Sequence, residues 1–305
     1  MDAPEPCLHA MARGEPMPSI HDEEDARLPD GVGEVVDSHV HLFPPRVFDA
    51  IHRWFERHAW SVRYRLHSEQ VVEFLRQRGV SRFVALHYSH KPGMARELNR
   101  YVHEVARAHR DVIVPLGTVL PGEPDAEAVV HEALHTLDLH GLKLHCHVQQ
   151  FAPDDPRLDP VWAACASAGK PVLVHAGREP RSPAYGIDTY AICAAERIER
   201  VLQRHPRLVL VVPHLGADEI PAYVALMERH ENLWLDTTMA VAGLFPTWEW
   251  EAVVRKVGDR LLYGTDFPNV PYAWDREIKR LVALDLPPET QRRLFADNAR
   301  RVFAM

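Results

Sequence analysis

Cysteine is scarce in this sequence. The 305 residues carry four, at Cys7, Cys146, Cys165 and Cys193, too few and too scattered for a disulfide framework, and none forms a Cys-x-x-Cys pair. A reducing cytoplasm is the expected compartment. Positive charge is also in short supply: Lys and Arg number 35 against 43 Asp and Glu, a net charge of −8, so no basic field calls for a nucleic acid or an anionic membrane as partner. No apolar stretch reaches the roughly 18 residues a membrane span needs, and no basic flank followed by an apolar run near the start suggests export. With 46% hydrophobic and 26% charged residues, collagen-like, disordered and disulfide-scaffold classes are excluded. Histidine, by contrast, is plentiful: there are 20, several at the ends of apolar runs.

Residues 1–33 hold five prolines and eight acidic residues against two basic ones, and so supply −6 of the net charge. This segment reads as a flexible, acidic, Pro-rich extension, leaving 34–305 as one folded domain. Beyond it, runs rich in Val, Leu and Ile alternate with amphipathic stretches to the end of the chain. Strands are expected at Glu34–His39, Arg82–His87, Val112–Val119, Gly141–His145, Pro171–His175, Leu208–His214, Asn232–Thr237 and Arg260–Asp266. Helices are expected between them, at Ser68–Arg78 (closed by Gly79), Met94–His109, Asp125–Asp138, Asp188–His205 and Ala217–His230, with a terminal helical segment over Pro287–Met305. From His39 to Asp266 the chain runs 227 residues over seven intervals, about 32 each, the size of a βα unit. The fold class is α/β, and a (β/α)8 TIM barrel is the economical architecture. A doubly wound sheet would need a Gly-rich phosphate fingerprint, but Gly31-Val32-Gly33 precedes the first strand and lacks its third glycine.

Active sites of such barrels gather at the C-terminal ends of the strands. Side chains alternate with period two, so His39 and His41 point to the same side. The fifth strand ends on His175, the sixth on His214 and the eighth on Asp266. Imidazole and carboxylate at one rim, from four strands, are the ligand chemistry of Zn²⁺, Mn²⁺ or Fe²⁺. A lone strand-end histidine is more often a packing residue; agreement among four strands is what favours a metal.

Taken in order, the segments VVDSHVHLF, GLKLH, VLVHAG, LVLVVPHLG, LLYGTDFP and LFADNARRVF resemble the amidohydrolase superfamily, over about residues 34–305. Within it the chain is similar to the amidohydrolase-related (type 2) group that includes aminocarboxymuconate-semialdehyde decarboxylase. The resemblance implies that His39, His41, His175 and Asp266 hold one divalent metal, Zn²⁺ first, with Mn²⁺ or Fe²⁺ also suited. It implies that His214 and Asp266 move protons at the metal, where the pKa of bound water falls to about 7. Some superfamily members carry a carboxylated lysine on the fourth strand between two metals, which raises the same question for Lys143 and His145. An inward lysine paired with a carboxylate is the plainer account of Lys143, and His145 divides between supporting a ligand and touching the metal.

Several other residues bear on the reading. His131-Glu132-Ala133-Leu134-His135 fits a zinc-protease pattern, but Val130, Leu134 and Leu137 mark the buried stripe of that helix and leave the two histidines facing solvent. Arg178 and Arg181, just after His175, suit a carboxylate or phosphate clamp, although solvated or capping roles weigh equally. His87, followed by His90 and Lys91, and the loop bearing Phe245, Trp248 and Trp250 add candidate substrate contacts. The expected function is a metal-dependent hydrolase attacking a C–N or C–O bond of a small anionic organic substrate. The alternative is non-oxidative decarboxylation of an unsaturated or aromatic acid, and the third reading is an idle barrel that binds or scaffolds. A homodimer is compatible with all three.

Overall fold

The structure is a computed structural model that describes residues 17–179, 182–244 and 249–305. Eight strands follow the expected order: β1 (Val36–His41), β2 (Arg82–Leu86), β3 (Ile113–Pro115), β4 (Leu142–His145), β5 (Val172–His175), β6 (Leu210–Val212), β7 (Leu233–Asp236) and β8 (Leu261–Leu262). All neighbours pair in parallel, in one run β1-β2-β3 and another β4 to β8. Two bridges join the runs, Gly117 with Leu142 and Val40 with Phe267, so the strands close into the TIM barrel.

Alternation along the strands sorts the side chains. Leu173, Val211, Trp234 and Leu262 point inward and pack with Val36, Val84 and Val114, while Val172, Val174, Leu210 and Val212 face the helices. In β1 the register slips between Asp37 and Val40. That irregularity lets Val36 lie in the inner core while His39 and His41, three and five residues on, reach the rim, as bulges do when they re-aim a side chain. Below this layer the C-terminal segments Arg293–Asp297 and Asn298–Phe303 insert Ala296, Ala299 and Phe303 into the lower end of the barrel.

Helices begin where the sequence offers caps. The helix Pro45–His58, α1, opens on Pro44-Pro45, whose fixed φ suits a first turn. Ser68–Gln77 carries a capping box between His67 and Gln70, and Gly79 just past it sits at φ +95, a conformation that favours glycine. The expected helix Asp188–His205 instead divides into Thr189–Ile192 and Ala195–Arg204. The reason is local: the Glu219 carboxylate accepts from the backbone N–H of Ala195 and so starts a new helix there. The strands β6 and β8 are shorter than expected because His214 and Asp266 leave the sheet with φ of +58 and +67.

Residues 17–33 depart from the flexible extension expected of them. Asp25 donates its backbone N–H to the buried Asp275 carboxylate at 2.8 Å and accepts from Trp274 Nε1, Asp22 pairs with Arg276 at 3.1 Å, and Glu24 bonds Tyr64 and Arg63. Leu28 joins the core beside Gly79 and Arg78. Acidic, Pro-rich composition suggested a solvated tail, but here Asp22, Glu24 and Asp25 have partners on the barrel. Deleting residues 1–28 should therefore lower the melting temperature by several degrees, at about 2–4 °C per kcal/mol for a chain of this size; an unchanged melting curve would show that these contacts contribute nothing.

Candidate active site

At the rim, His39, His41 and Asp266 bring one ligand atom each to within 4.8 Å of one another. His39 donates Nδ1–H to Asp236 Oδ2 at 2.9 Å, which leaves its Nε2 lone pair turned to the site, 3.3 Å from Asp266 Oδ1. His41 Nε2 lies 2.8 Å from the same oxygen. Burial works to raise the Asp266 carboxyl, but the hydrogen bond from His41 and the charges of His41 and His39 outweigh it and hold it well below the usual carboxylate range. The close packing here depends on Gly264, where a Cβ would fall 2.4 Å from Thr238 Oγ1 and 2.9 Å from His39 Cβ.

A second group of imidazoles lies across the mouth. His145 and His175, paired in the β4–β5 register, stack with ring centres 4.0 Å apart, and the His147 ring is 5.0 Å from His175. His175 Nε2 donates to Glu179 Oε1 at 2.6 Å. His214 stands between the groups, 4.6 Å from His175 and 5.8 Å from His39 by ring centres. Its Nδ1–H donates to the Thr238 carbonyl at 2.9 Å, which leaves Nε2 toward the site. The ligand atoms of His175 lie within 4.8 Å of those of His145 and His147, and of those of Glu179 and His214.

Lys143 is 0% exposed, with Nζ 3.3 Å from His39 Nε2. Burial pushes its ammonium down to about 8 against the charges of Asp266 and Asp236. The histidines His131 and His135 are exposed, and Glu132 is taken by Arg96 and Arg100, so the protease-like pattern lies on the outside of the barrel.

Two substrate contacts expected from the sequence are corrected. Arg178 binds Glu219 Oε1 at 3.0 Å and the Tyr190 carbonyl at 3.1 Å, and it stacks on the Tyr190 ring, so it ties loops together and does not line the cavity. His87 is 1% exposed, donates Nε2–H to Asn99 at 2.9 Å and belongs to the core. Arg181 and Trp248 lie outside the described residues. Asp236 and His147 escaped notice although both could be read, Asp236 as the inward end of β7 two residues after Trp234, His147 as the partner of His145 two residues on. Glu179 and the aromatic residues of α1 carried no such signal.

Above the imidazoles opens a cavity of about 210 Å³. Trp54 and Phe55 of α1, with Trp60, Tyr88 and Tyr185, form its walls; His41, His145, His147, His175, His214 and Asp266 form its floor. Among the described lining residues there is no Lys or Arg.

The family model Amidohydro_2, described as Amidohydrolase, matches residues 36–305. The chain belongs to this family. No curated protein matches it by sequence. Among solved structures it is similar to an uncharacterised TIM-barrel protein from Bordetella bronchiseptica, at 24% identity and TM-score 0.68, covering 89% of this chain and 98% of that one. It is similar also to a 5-carboxyvanillate decarboxylase from Novosphingobium aromaticivorans, solved with manganese and 4-hydroxy-3-methoxy-5-nitrobenzoic acid, at 16% identity and TM-score 0.71, covering 93% and 99%. A 2,6-dihydroxybenzoate decarboxylase from Rhizobium aligns at 16% identity and TM-score 0.65, covering 89% and 98%. At such identities these family relatives share the barrel, and no helix among the described residues is long and apolar enough to cross a membrane.

Two predictions follow from this geometry. Asp236→Asn removes the charge that orients His39, and metal affinity should fall about 10–100-fold with the fold intact, as measured by competition with a chelating dye. Burial pushes His87 down to about 4 from an ordinary 6.5. Between those values the unfolded chain takes up a proton that the folded chain does not, so His87 makes stability fall as pH drops through this window. His87→Gln should abolish that slope, worth on the order of 2–3 kcal/mol, whereas parallel urea-unfolding free energies of wild type and variant from pH 7 to pH 4 would refute the assignment.

Proposed function

We propose that the chain is a metal-dependent, non-oxidative decarboxylase of a small aromatic or unsaturated carboxylic acid. The observation that carries this reading is the cavity: aromatic walls enclose about 210 Å³, and the floor is imidazole and carboxylate with no lysine or arginine on the described lining. A cavity of roughly 150 Å³ takes benzene, so one substituted ring fits here. Among the described lining residues the substrate's carboxylate meets no organic cation, and the groups there able to hold a cation for it are those of the floor.

His39, His41 and Asp266 fit a divalent ion: three donors converge, His39 is already oriented by a carboxylate, and two nitrogens with one oxygen suit Zn²⁺ and Mn²⁺ alike. Bound there, the ion would supply the positive charge that draws acid or phenolate oxygens to the floor. Trp54, Trp60, Tyr88 and Tyr185 hold the ring and exclude water. When the C–C bond to the carboxylate breaks, CO₂ leaves without the bonding pair, which stays on the ring carbon, and a proton must take its place. His214 is positioned for that transfer, because its Nδ1–H is committed to Thr238 and Nε2 is the exchanging atom. Asp266, also on the floor, is the other titratable group near that transfer. Ring acids of this size are the substrates named for the similar decarboxylases of 5-carboxyvanillate and 2,6-dihydroxybenzoate.

Hydrolysis is the second reading, favoured by one observation: Asp266 Oδ1 lies 2.8 Å from His41 Nε2 and 3.3 Å from His39 Nε2, so an ion held by these three would bring its bound water beside a carboxylate. Purified protein, stripped and reloaded with Zn²⁺ or Mn²⁺, should release CO₂ from members of a panel of hydroxybenzoates and unsaturated acids. Alkali consumption on lactones or amides without CO₂ release would overturn decarboxylation in favour of hydrolysis, and no turnover by the loaded protein would favour an idle barrel. His214→Asn should keep its metal and lose about 10²–10⁴-fold in turnover; near-normal turnover would remove His214 from proton transfer.

A further inference from the structure

We propose that residues 22–25 form a strap that positions the cavity mouth for its substrate, tying the loop that carries Trp60 to the loop that carries Asn269; the role rests on the reading of this cavity as the place where an aromatic acid is held. The strap lies ahead of residues 36–305, the stretch that matches the family, so the family match does not describe it.

Two loops make this side of the mouth. One, residues 59–67, joins α1 to the helix Ser68–Gln77, and the other, residues 263–275, follows β8. Neither contains a helix or a strand, and backbone of that kind keeps one position only where contacts from elsewhere hold it. The loops run against each other: Trp60 Nε1 donates to the Asn269 carbonyl at 2.8 Å, the Arg63 backbone N–H to the Val270 carbonyl at 3.0 Å, and the Trp274 backbone N–H to the Tyr64 hydroxyl at 2.9 Å. Trp60 and Asn269 both line the cavity.

The strap grips both loops. On the first, Glu24 accepts from the Tyr64 hydroxyl and from Arg63 Nη2 at 3.1 Å, and the Asp22 carbonyl accepts from Arg63 Nη1 at 2.7 Å. On the second, the Asp25 carbonyl accepts from Trp274 Nε1 at 3.1 Å and the Asp25 backbone N–H donates to Asp275 Oδ2 at 2.8 Å. Just beyond that loop, Asp22 pairs with Arg276 at 3.1 Å and Asp25 with Lys279 at 2.9 Å. Tyr64 is the joint, since its one hydroxyl donates to Glu24 and accepts from Trp274. The side chains of Arg276 and Asp22 are only 14% and 12% exposed, so solvent screens this pair less than the open surface pairs that contribute little. None of these partners lies on a strand, so the strap holds the mouth and not the barrel beneath it. A ring acid then meets a wall already in place, and little ordering cost is left for binding. With the strap released, that wall must be ordered each time a ring enters, while His39, His41 and Asp266 stay where the strands put them.

The test compares the full chain with Glu24→Ala, a change at a residue that does not line the cavity. Hydrogen exchange read by mass spectrometry needs no ligand: amides of residues 60–66 and 269–276 should exchange about tenfold faster in the variant, and those of β5 and β7 at the wild-type rate. In the Zn²⁺-loaded protein, calorimetry with benzoate, 4-hydroxybenzoate and 2,6-dihydroxybenzoate should show ring affinity about tenfold weaker in the variant, with Zn²⁺ affinity unchanged. Unchanged exchange in the two loops overturns the strap even where the decarboxylase reading stands. Exchange that rises throughout the barrel, or a Zn²⁺ affinity that falls together with that of the ring, shows a loosened fold in place of positioning and overturns it too. A wild type that binds none of the three acids removes the reading of the cavity beneath the proposal, and this is told apart from a failure of the strap because exchange is measured without them. Should Glu24→Ala fail to fold, Glu24→Gln, which leaves an oxygen for Tyr64 and gives up only the charge, serves in its place with the same expected directions.

Discussion

A carboxylate can be buried only where donors are aimed at it, and that constraint on Asp236 organises the upper rim of this barrel. Asp236 is fully buried, and burial pushes its carboxyl up, against the charges of His214 and Lys143 and the hydrogen bond from Thr238. Its donors come from three places: the ring of His39 on β1, the backbone of His214 after β6 and the backbone of Thr238 after β7. Satisfying one carboxylate therefore fixes the tautomer of His39, the path by which His214 leaves its strand, and the loop whose carbonyl then holds the His214 ring. The positive φ at His214 and Asp266 belongs to the same arrangement, since strain of this kind persists where surrounding contacts over-determine it.

The remainder of the cavity is divided by polarity. Aromatic rings from α1 and the loops above the strands make the walls, and the strand ends make a floor of imidazole and carboxylate. Such a vessel orients a molecule with one flat apolar part and one anionic part, as small-molecule sites commonly do with a few polar groups at one end. The floor has two halves of different make, an Asp266 half in which a carboxylate touches both β1 histidines and a Glu179 half in which imidazoles stack on one another.

Much of this was legible from local pattern. Period-two alternation puts His39 and His41 on one side and the strand ends carry His175 and Asp266, while the βα spacing leads to the barrel; the slip in β1 that turns the two histidines to the rim left no mark in the sequence pattern. What was not legible depended on partners far along the chain. Arg178 looks like a clamp until Glu219, forty-one residues later, takes its guanidinium. His87 stands just past the end of β2 but has the parity of Phe83 and Ala85, which pack outside the inner core, and it is sealed in by Asn99 of the next helix. His175 could be placed at the rim, but which neighbours it would join depended on Glu179 and on the stacking of His145. Residues 17–33 were read from proline content and acidic composition, and composition does not reveal that Asp22, Glu24 and Asp25 each meet a donor on the barrel.

The lower end of the barrel deserves the same physical reading as its rim. Phe303, Ala299 and Ala296 pack against Val36, Val84 and Leu262, so that end is a dry plug of side chains and not a passage. Among the described residues the barrel is thus a cup with its mouth at the strand ends, and a molecule that enters there also leaves there. Whatever is made on the floor departs past Trp54, Trp60 and Tyr185, and while a ring-bearing product lingers on those walls the next substrate cannot descend. In such a cup, turnover is governed by the grip of the walls as well as by the chemistry of the floor, and a product that keeps the ring of its precursor will compete with it for the same space.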